Sequence, residues 1–162
     1  MRRLAKFWSL TRREKRVFLE ASILLSVSNA CVKAIAFKDI DRFLSTRWND
    51  GIRGGIGREH EIRLVQRSIL RAANVLPWQS LCLSRSIAQF IMLRRRGIPA
   101  VMFAGARLSG DSSLDAHAWV DTGLGVQEKH SENAAFAAVI RIGTRADSAL
   151  NPSHIARHRS SA

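Results

Sequence analysis

Cysteine is scarce in this chain: 162 residues carry only Cys31 and Cys82. That excludes a scaffold stapled by disulfides, and two lone thiols in a reducing compartment need not pair. Acidic residues are also short, 13 against 26 Lys and Arg, which leaves a formal net charge of +13. No Cys/His set has zinc-ligand spacing, no glycine-rich run ends in Lys-Ser or Lys-Thr, and no nucleic-acid motif accompanies the charge. A long uncharged apolar run is missing as well. Val17 to Phe37 is rich in Leu, Ile, Val and Ala, but Glu20 and Lys33 interrupt it. Crossing a bilayer takes about 20 apolar residues. A buried or membrane-surface helix is therefore expected rather than a span. No small-residue cleavage site follows an apolar core, so a secretory signal is not expected and a cytoplasmic location is. Neither an internal repeat nor a second domain is visible.

What is present suffices for one domain with a sizeable core, since 46% of the residues are hydrophobic. The basic residues cluster at Arg2-Arg3, Arg12 to Arg16, Arg94-Arg95-Arg96, and Arg157 and Arg159. Such a balance suits nucleic acid, anionic lipid or an acidic protein, and equally a solvated basic face. Thr11-Arg12-Arg13-Glu14 has the capping-box pattern and predicts a long helix to about Phe37. Leu19, Ile23, Val27, Ala30 and Ala34 recur in it at core-packing spacing. Cys31 on the same helix reads as a small buried hydrophobe. A short helical piece over Ile40–Leu44 leads into a glycine-rich loop, Trp48 to Gly57. A second long helix is predicted over Arg58–Val75, with Ile62, Val65, Ile69 and Ala73 as its stripe.

Pro77 closes that helix, and Ser80 is placed to cap the next. There Leu83, Ile87, Phe90 and Ile91 should face inward, with the buried face ending at Arg94. Gly97 stops the helix and Pro99 prevents its resumption. Val101–Leu108 then reads as a strand, Ser109–Asp115 as a loop, and Ala116–Asp121 as a second strand. Thr122–Gly125 reads as a hairpin turn, with Val126–Glu128 as the return strand. Ala134–Ile142 fits either a further strand or a short helix. The residues after Gly143 look like a frayed basic tail. The expected division is an N-terminal helical region 1–58, a core 59–142 and a tail 143–162.

Cys82 and His117 are the residues on which chemistry would rest. A thiol attacks as thiolate, and the free N–H groups and dipole at a helix start favour that anion. Cys82 stands where a loop meets an apolar helix. His117, within Ala116-His117-Ala118-Trp119-Val120, is placed to take the proton or to form an ion pair with the sulfur. His60, His130, His154 and His158 occupy loop-like or exposed contexts and read as bystanders. The imidazole also needs an orienting partner. Asp121 lies four residues along the same strand, roughly 13 Å away. A turn centred on Gly123-Leu124 would instead put Glu128 diagonal to His117 on one face. Glu128 is the preferred third member, and Asp121 remains open if the hairpin is irregular. The backbone N–H of Cys82 would supply one oxyanion donor, with Gln79 or Trp78 as sources of a second. Arg85 would contact the substrate or anchor the loop.

Three segments carry a family resemblance: Leu81-Cys82-Leu83-Ser84-Arg85-Ser86, Leu93-Arg94-Arg95-Arg96-Gly97-Ile98-Pro99-Ala100 and Ala116-His117-Ala118-Trp119-Val120-Asp121. In this order they resemble the transglutaminase-like leader peptidases of lasso-peptide biosynthesis, the B proteins, over about Glu59 to Ile142. The resemblance implies an α+β, papain-like fold with the nucleophile helix packed on an antiparallel sheet. It implies Cys82 as nucleophile, His117 as its histidine, and an acid on the strand after the histidine strand, to which Glu128 is the nearest fit. It also implies a reaction: cutting the leader from a ribosomally made precursor peptide, which frees the core's N-terminal amine for an ATP-using cyclase. The chain itself would then need no cofactor or metal. The helical region before Cys82 lacks a strand-rich recognition module, so the stand-alone form is expected, with a separate leader-recognition protein as partner. No specific nucleic-acid partner is expected, and the basic surface suits acidic partners or peripheral contact with a membrane.

Two other classes compete. One is a basic nucleic-acid- or membrane-binding module whose cysteine is structural, with salt-sensitive binding that ignores Cys82. The other is an acyl transferase using the same dyad, since water or an amine can take the acyl group.

Overall fold

Thr11 fixes where the first helix starts. Its hydroxyl accepts the Glu14 N–H at 3.2 Å, and its own N–H donates to the Glu14 carboxylate at 2.9 Å, completing the expected capping box. The computed structural model describes residues 10–47, 57–78, 81–108, 114–123 and 136–143. Helix α1 spans Arg12–Ala34 and ends three residues earlier than the sequence suggests, because Ile35 turns to extended backbone. A separate helix α2, Phe37–Arg47, follows and buries Ile40 and Leu44. It contains the expected Ile40–Leu44 piece and extends it at both ends.

The buried face of α1 differs from the expected one. Val17, Ala21, Leu25, Ser28 and Asn29 are buried, whereas Leu19, Ile23 and Val27 are more than half exposed. Apolar side chains occur nearly all round this helix, so spacing alone cannot choose the inward face. The chosen face carries smaller groups, Ala21 and Ser28, against the neighbouring helices α3 and α4. Cys31 is partly buried against the core, in line with a packing role.

Helix α3, Glu59–Val75, buries Ile62, Leu64, Val65, Ile69 and Ala72. Ala72 takes the fully buried place expected of Ala73, which is only partly buried. Helix α4, Cys82–Arg95, packs on α1, α3 and the sheet. Its N-cap position is Leu81, which makes no side-chain cap, and Ser80 lies outside the described residues. Inward it carries Ile87, Phe90, Met92 and Leu93, with Leu83 and Ile91 partly buried at the flank. Arg94 is itself buried, so the buried face continues past the point where the basic run begins.

The end of α4 follows from Gly97. With φ +67° it adopts the left-handed conformation that glycine accepts most readily. The Gly97 N–H then reaches the Arg94 carbonyl at 2.9 Å, and the Ile98 N–H reaches that of Leu93 at 3.0 Å. These are the two bonds of a Schellman motif, and both Ile98 and Leu93 are buried in the core beside it. Arg96 ties this end to α1 through a two-pronged pair with Glu20.

Strands β1 (Val101–Leu108), β2 (Leu114–Asp121) and β3 (Ala137–Ile142) form an antiparallel sheet in the order β2-β1-β3. Strand β2 begins two residues earlier than expected. Ala137–Ile142 resolves the strand-or-helix ambiguity in favour of a strand, paired with β1. Met102, Val120 and Ile142 face the helices and join their core. The chain is thus α+β, with four helices and one three-stranded sheet among the described residues. The expected return strand Val126–Glu128 and the tail after Gly143 lie outside them, and nothing described tests the division at residues 58 and 142.

Candidate active site

Cys82 is the first residue of α4, and Leu81 has extended backbone with φ −65° and ψ 152°. The first helical bond of α4 runs from the Arg85 N–H to the Leu81 carbonyl at 3.1 Å. The N–H groups before it in the first turn are the ones a helix leaves without internal acceptors. Cys82 is therefore placed where the helix favours an anion. A buried bond anchors this turn: the Ser84 hydroxyl donates to the Asn29 side-chain oxygen of α1 at 3.2 Å. Both residues are more than nine-tenths buried, so the nucleophile turn is fixed to the helical core behind it.

The Cys82 thiol is partly exposed and points at β2, where Sγ contacts the Ala116 carbonyl oxygen at 3.9 Å. Ala116 immediately precedes His117. By the fixed peptide dimensions, Sγ is then at most roughly 7 Å from the His117 Cα. Folding therefore brings the thiol to the β2 backbone beside His117, although the His117 side chain lies on the sheet face opposite to Val120, which packs on the helices. The imidazole and the sulfur make no hydrogen bond as they stand. Instead the ring stacks on that of Trp119 at 6.0 Å and lies tilted against that of Phe136 at 5.1 Å, centroid to centroid.

A small aromatic shelf surrounds the histidine. Phe103 on β1 stacks on Trp119 at 5.6 Å, and the Arg107 guanidinium lies 4.7 Å over Phe136. Arg107 also binds Asp115 through two contacts of 3.1 and 3.2 Å. The sheet register explains the set. Phe103 pairs with Trp119, Gly105 with His117, and Arg107 with Asp115, so all six share one face. Gly105 makes room for it. A Cβ there would stand 2.6 Å from the Ala137 carbonyl oxygen and 3.1 Å from the Trp119 ring. The β1–β3 register slips between Ala104 and Gly105, which brings β3 in at this point.

Asp121 is engaged elsewhere. Its carboxylate accepts the Gly123 N–H at 2.8 Å, closing a turn at the end of β2. Gly123 has φ +67°, and the rest of the expected hairpin turn, Leu124 and Gly125, lies outside the described residues. Glu128, the preferred third member, lies outside the described residues, as does Gln79. Trp78 is described and is partly exposed. The shelf residues Phe103, Arg107 and Asp115 were missed by sequence reasoning, although period-two alternation on two paired strands could have found them. Phe136 carries no such signal. His60 is exposed on α3, and no cluster of metal-ligating side chains occurs among the described residues.

A family model described as the transglutaminase-like superfamily matches residues 55–141, more than half of the chain. It covers α3, the whole of α4 with Cys82, β1, β2 with His117, and nearly all of β3. No curated protein and no solved structure matches the chain.

Proposed function

The chain belongs to the transglutaminase-like superfamily, and from that premise we propose that it is a cysteine leader peptidase acting on a ribosomally made lasso-peptide precursor. Members of this superfamily are in general cysteine peptidases or acyltransferases. The observation that carries the reading is the contact of the Cys82 thiol, at the first turn of α4, with the residue preceding His117 on β2.

In the proposed reaction the His117 ring leaves its stack, comes round the edge of β2 to the sulfur and takes the thiol proton. Catalytic contacts often tighten only when substrate is bound. The Cys82 thiolate attacks the carbonyl carbon at the leader–core junction. The oxyanion is met by the Cys82 N–H. Protonated His117 then gives its proton to the leaving amine, which departs as the N-terminus of the core. The leader remains as a thioester on Cys82 until water, deprotonated by His117, releases it as a carboxylate. Glu128 is the proposed orienting acid, because the carboxylates of Asp121 and Asp115 already hold Gly123 and Arg107.

The three resembling segments support the finer assignment. On that assignment the partners are a precursor peptide, a separate leader-recognition protein and an ATP-dependent cyclase, in the cytoplasm. The test is mass spectrometry of the precursor incubated with the recognition protein and this chain. Wild type cleaves at the leader–core junction. Cys82→Ala, shown to be folded, cleaves about 10³-fold more slowly or not at all. Equal cleavage by both proteins would remove the nucleophile. An acyltransferase shares the thioester, and an added amine appearing in the leader product would assign that chemistry instead.

A further inference from the structure

Helix α1 presents to solvent the face that its apolar spacing would have turned inward. Leu19, Ile23 and Val27 are 60%, 56% and 52% exposed. Ala30 and Ala34 continue the stripe in the last turns, and Arg12 and Arg16 begin it in the first. At 3.6 residues per turn these seven positions fall within an arc of about 80°. The opposite face is packed on α3 and α4. The helix is long and apolar enough to span a bilayer by composition, yet in this fold one side of it belongs to the core.

The charges that α1 leaves without a carboxylate beside the stripe, among the described residues, are basic. Arg12 and Arg16 have no carboxylate partner among the described residues, and Lys33 lies exposed beside Ala34. Of the two acids of α1, Glu14 lies on the far side of the helix and Glu20 stands about 20° beyond Val27 at the edge of the stripe, and both are paired. Glu14 is held by Thr11 and pairs with Arg71 at 3.8 Å. Glu20 pairs with Arg95 and Arg96. The nine residues that precede Leu10 in sequence carry Arg2, Arg3 and Lys6 with Phe7 and Trp8, and no acid. Beyond its basic first turn the stripe is wholly aliphatic, with no hydrogen-bonding side chain at Leu19, Ile23, Val27, Ala30 or Ala34. It has what an anionic lipid surface requires: side chains that enter the headgroup–acyl boundary and guanidinium groups that meet phosphate.

We propose that the exposed face of α1 docks the protein on an anionic membrane surface, with the helix lying in the interface plane and Leu19, Ile23 and Val27 inserted. The proposal does not depend on the peptidase reading, and Cys82→Ala is expected to bind as wild type does.

The experiment is co-sedimentation of the full chain with phosphatidylcholine vesicles, alone or with about one-third phosphatidylglycerol. The expected result is binding to the anionic vesicles, at least about tenfold weaker on neutral ones, and released as NaCl rises from about 0.05 to 0.5 M. Leu19→Ser with Ile23→Ser and Val27→Ser should lower the partition by about tenfold or more at an unchanged urea midpoint. Arg12→Gln with Arg16→Gln should weaken it and flatten the salt response. Should the triple variant fail to fold, Ile23→Trp serves instead and should bind more tightly. No binding to anionic vesicles, or binding indifferent to these substitutions, overturns the proposal. So does a concentration-dependent dimer, seen by sedimentation without lipid and lost in the triple variant, which would assign the face to a second copy.

Discussion

Gly105→Ala is the substitution that most directly tests how the sheet holds the histidine. The added methyl would lie 2.6 Å from the Ala137 carbonyl oxygen and 3.1 Å from the Trp119 ring. A carbon needs about 3.4 Å or more from such neighbours, so roughly 0.8 Å must be found on the β3 side. The obstructing atom there is backbone, and the register between β1 and β3 is already shifted at this residue. Neither rotation nor a rotamer change relieves the overlap. Overpacking of this kind costs about 1–3 kcal/mol. With a urea dependence of about 2 kcal/mol/M, the denaturation midpoint should fall by about 0.5–1.5 M. Trp119 is pushed as well, and His117 stacks on it, so precursor cleavage should fall beyond what the unfolded fraction explains. The assay is urea unfolding followed by tryptophan fluorescence, beside cleavage kinetics under conditions where the variant is fully folded. An unchanged midpoint together with unchanged cleavage would refute the close approach of β3 and the dependence of His117 on the Gly105 floor.

Ser84→Ala should leave the Asn29 oxygen buried without its donor and cost about 1–3 kcal/mol in urea unfolding. Adding Asn29→Leu should recover part of that loss, because it removes the stranded group, and a double variant no better than the single one would argue against the bond. Hydrogen bonds from the Thr11 backbone and then its side chain, helped by Arg71 and Arg67, hold the Glu14 carboxyl below the usual glutamate range. A depressed carboxyl contributes stability that is present above its unfolded-state value and is lost as pH falls through the folded-state value. Glu14→Gln should therefore lower the urea midpoint at neutral pH and make progressively less difference on acidification. A gap that stays constant into acid would show that the capping charge contributes nothing.

The sequence by itself determined the elements whose signals are local. Thr11 and Glu14 cap α1 through bonds between neighbours in the chain, and Gly97 ends α4 through its own backbone freedom. Ile62, Val65 and Ile69 identify the inner face of α3 because Arg63, Arg67 and Arg71 lie on the other side. The order of Cys82 and His117, one at a helix start and one on a strand, was legible for the same reason. Tertiary structure decided the rest. Around α1 apolar side chains are nearly continuous, so only packing against α3 and α4 could choose Val17, Ala21 and Leu25 over Leu19, Ile23 and Val27. Strand pairing, not local preference, placed Phe103, Gly105 and Arg107 opposite Trp119, His117 and Asp115. The contact of the thiol with Ala116 spans more than thirty residues of chain. No periodicity records such a contact, because it exists only once α4 has been laid against β2 by the burial of side chains that take no part in the chemistry.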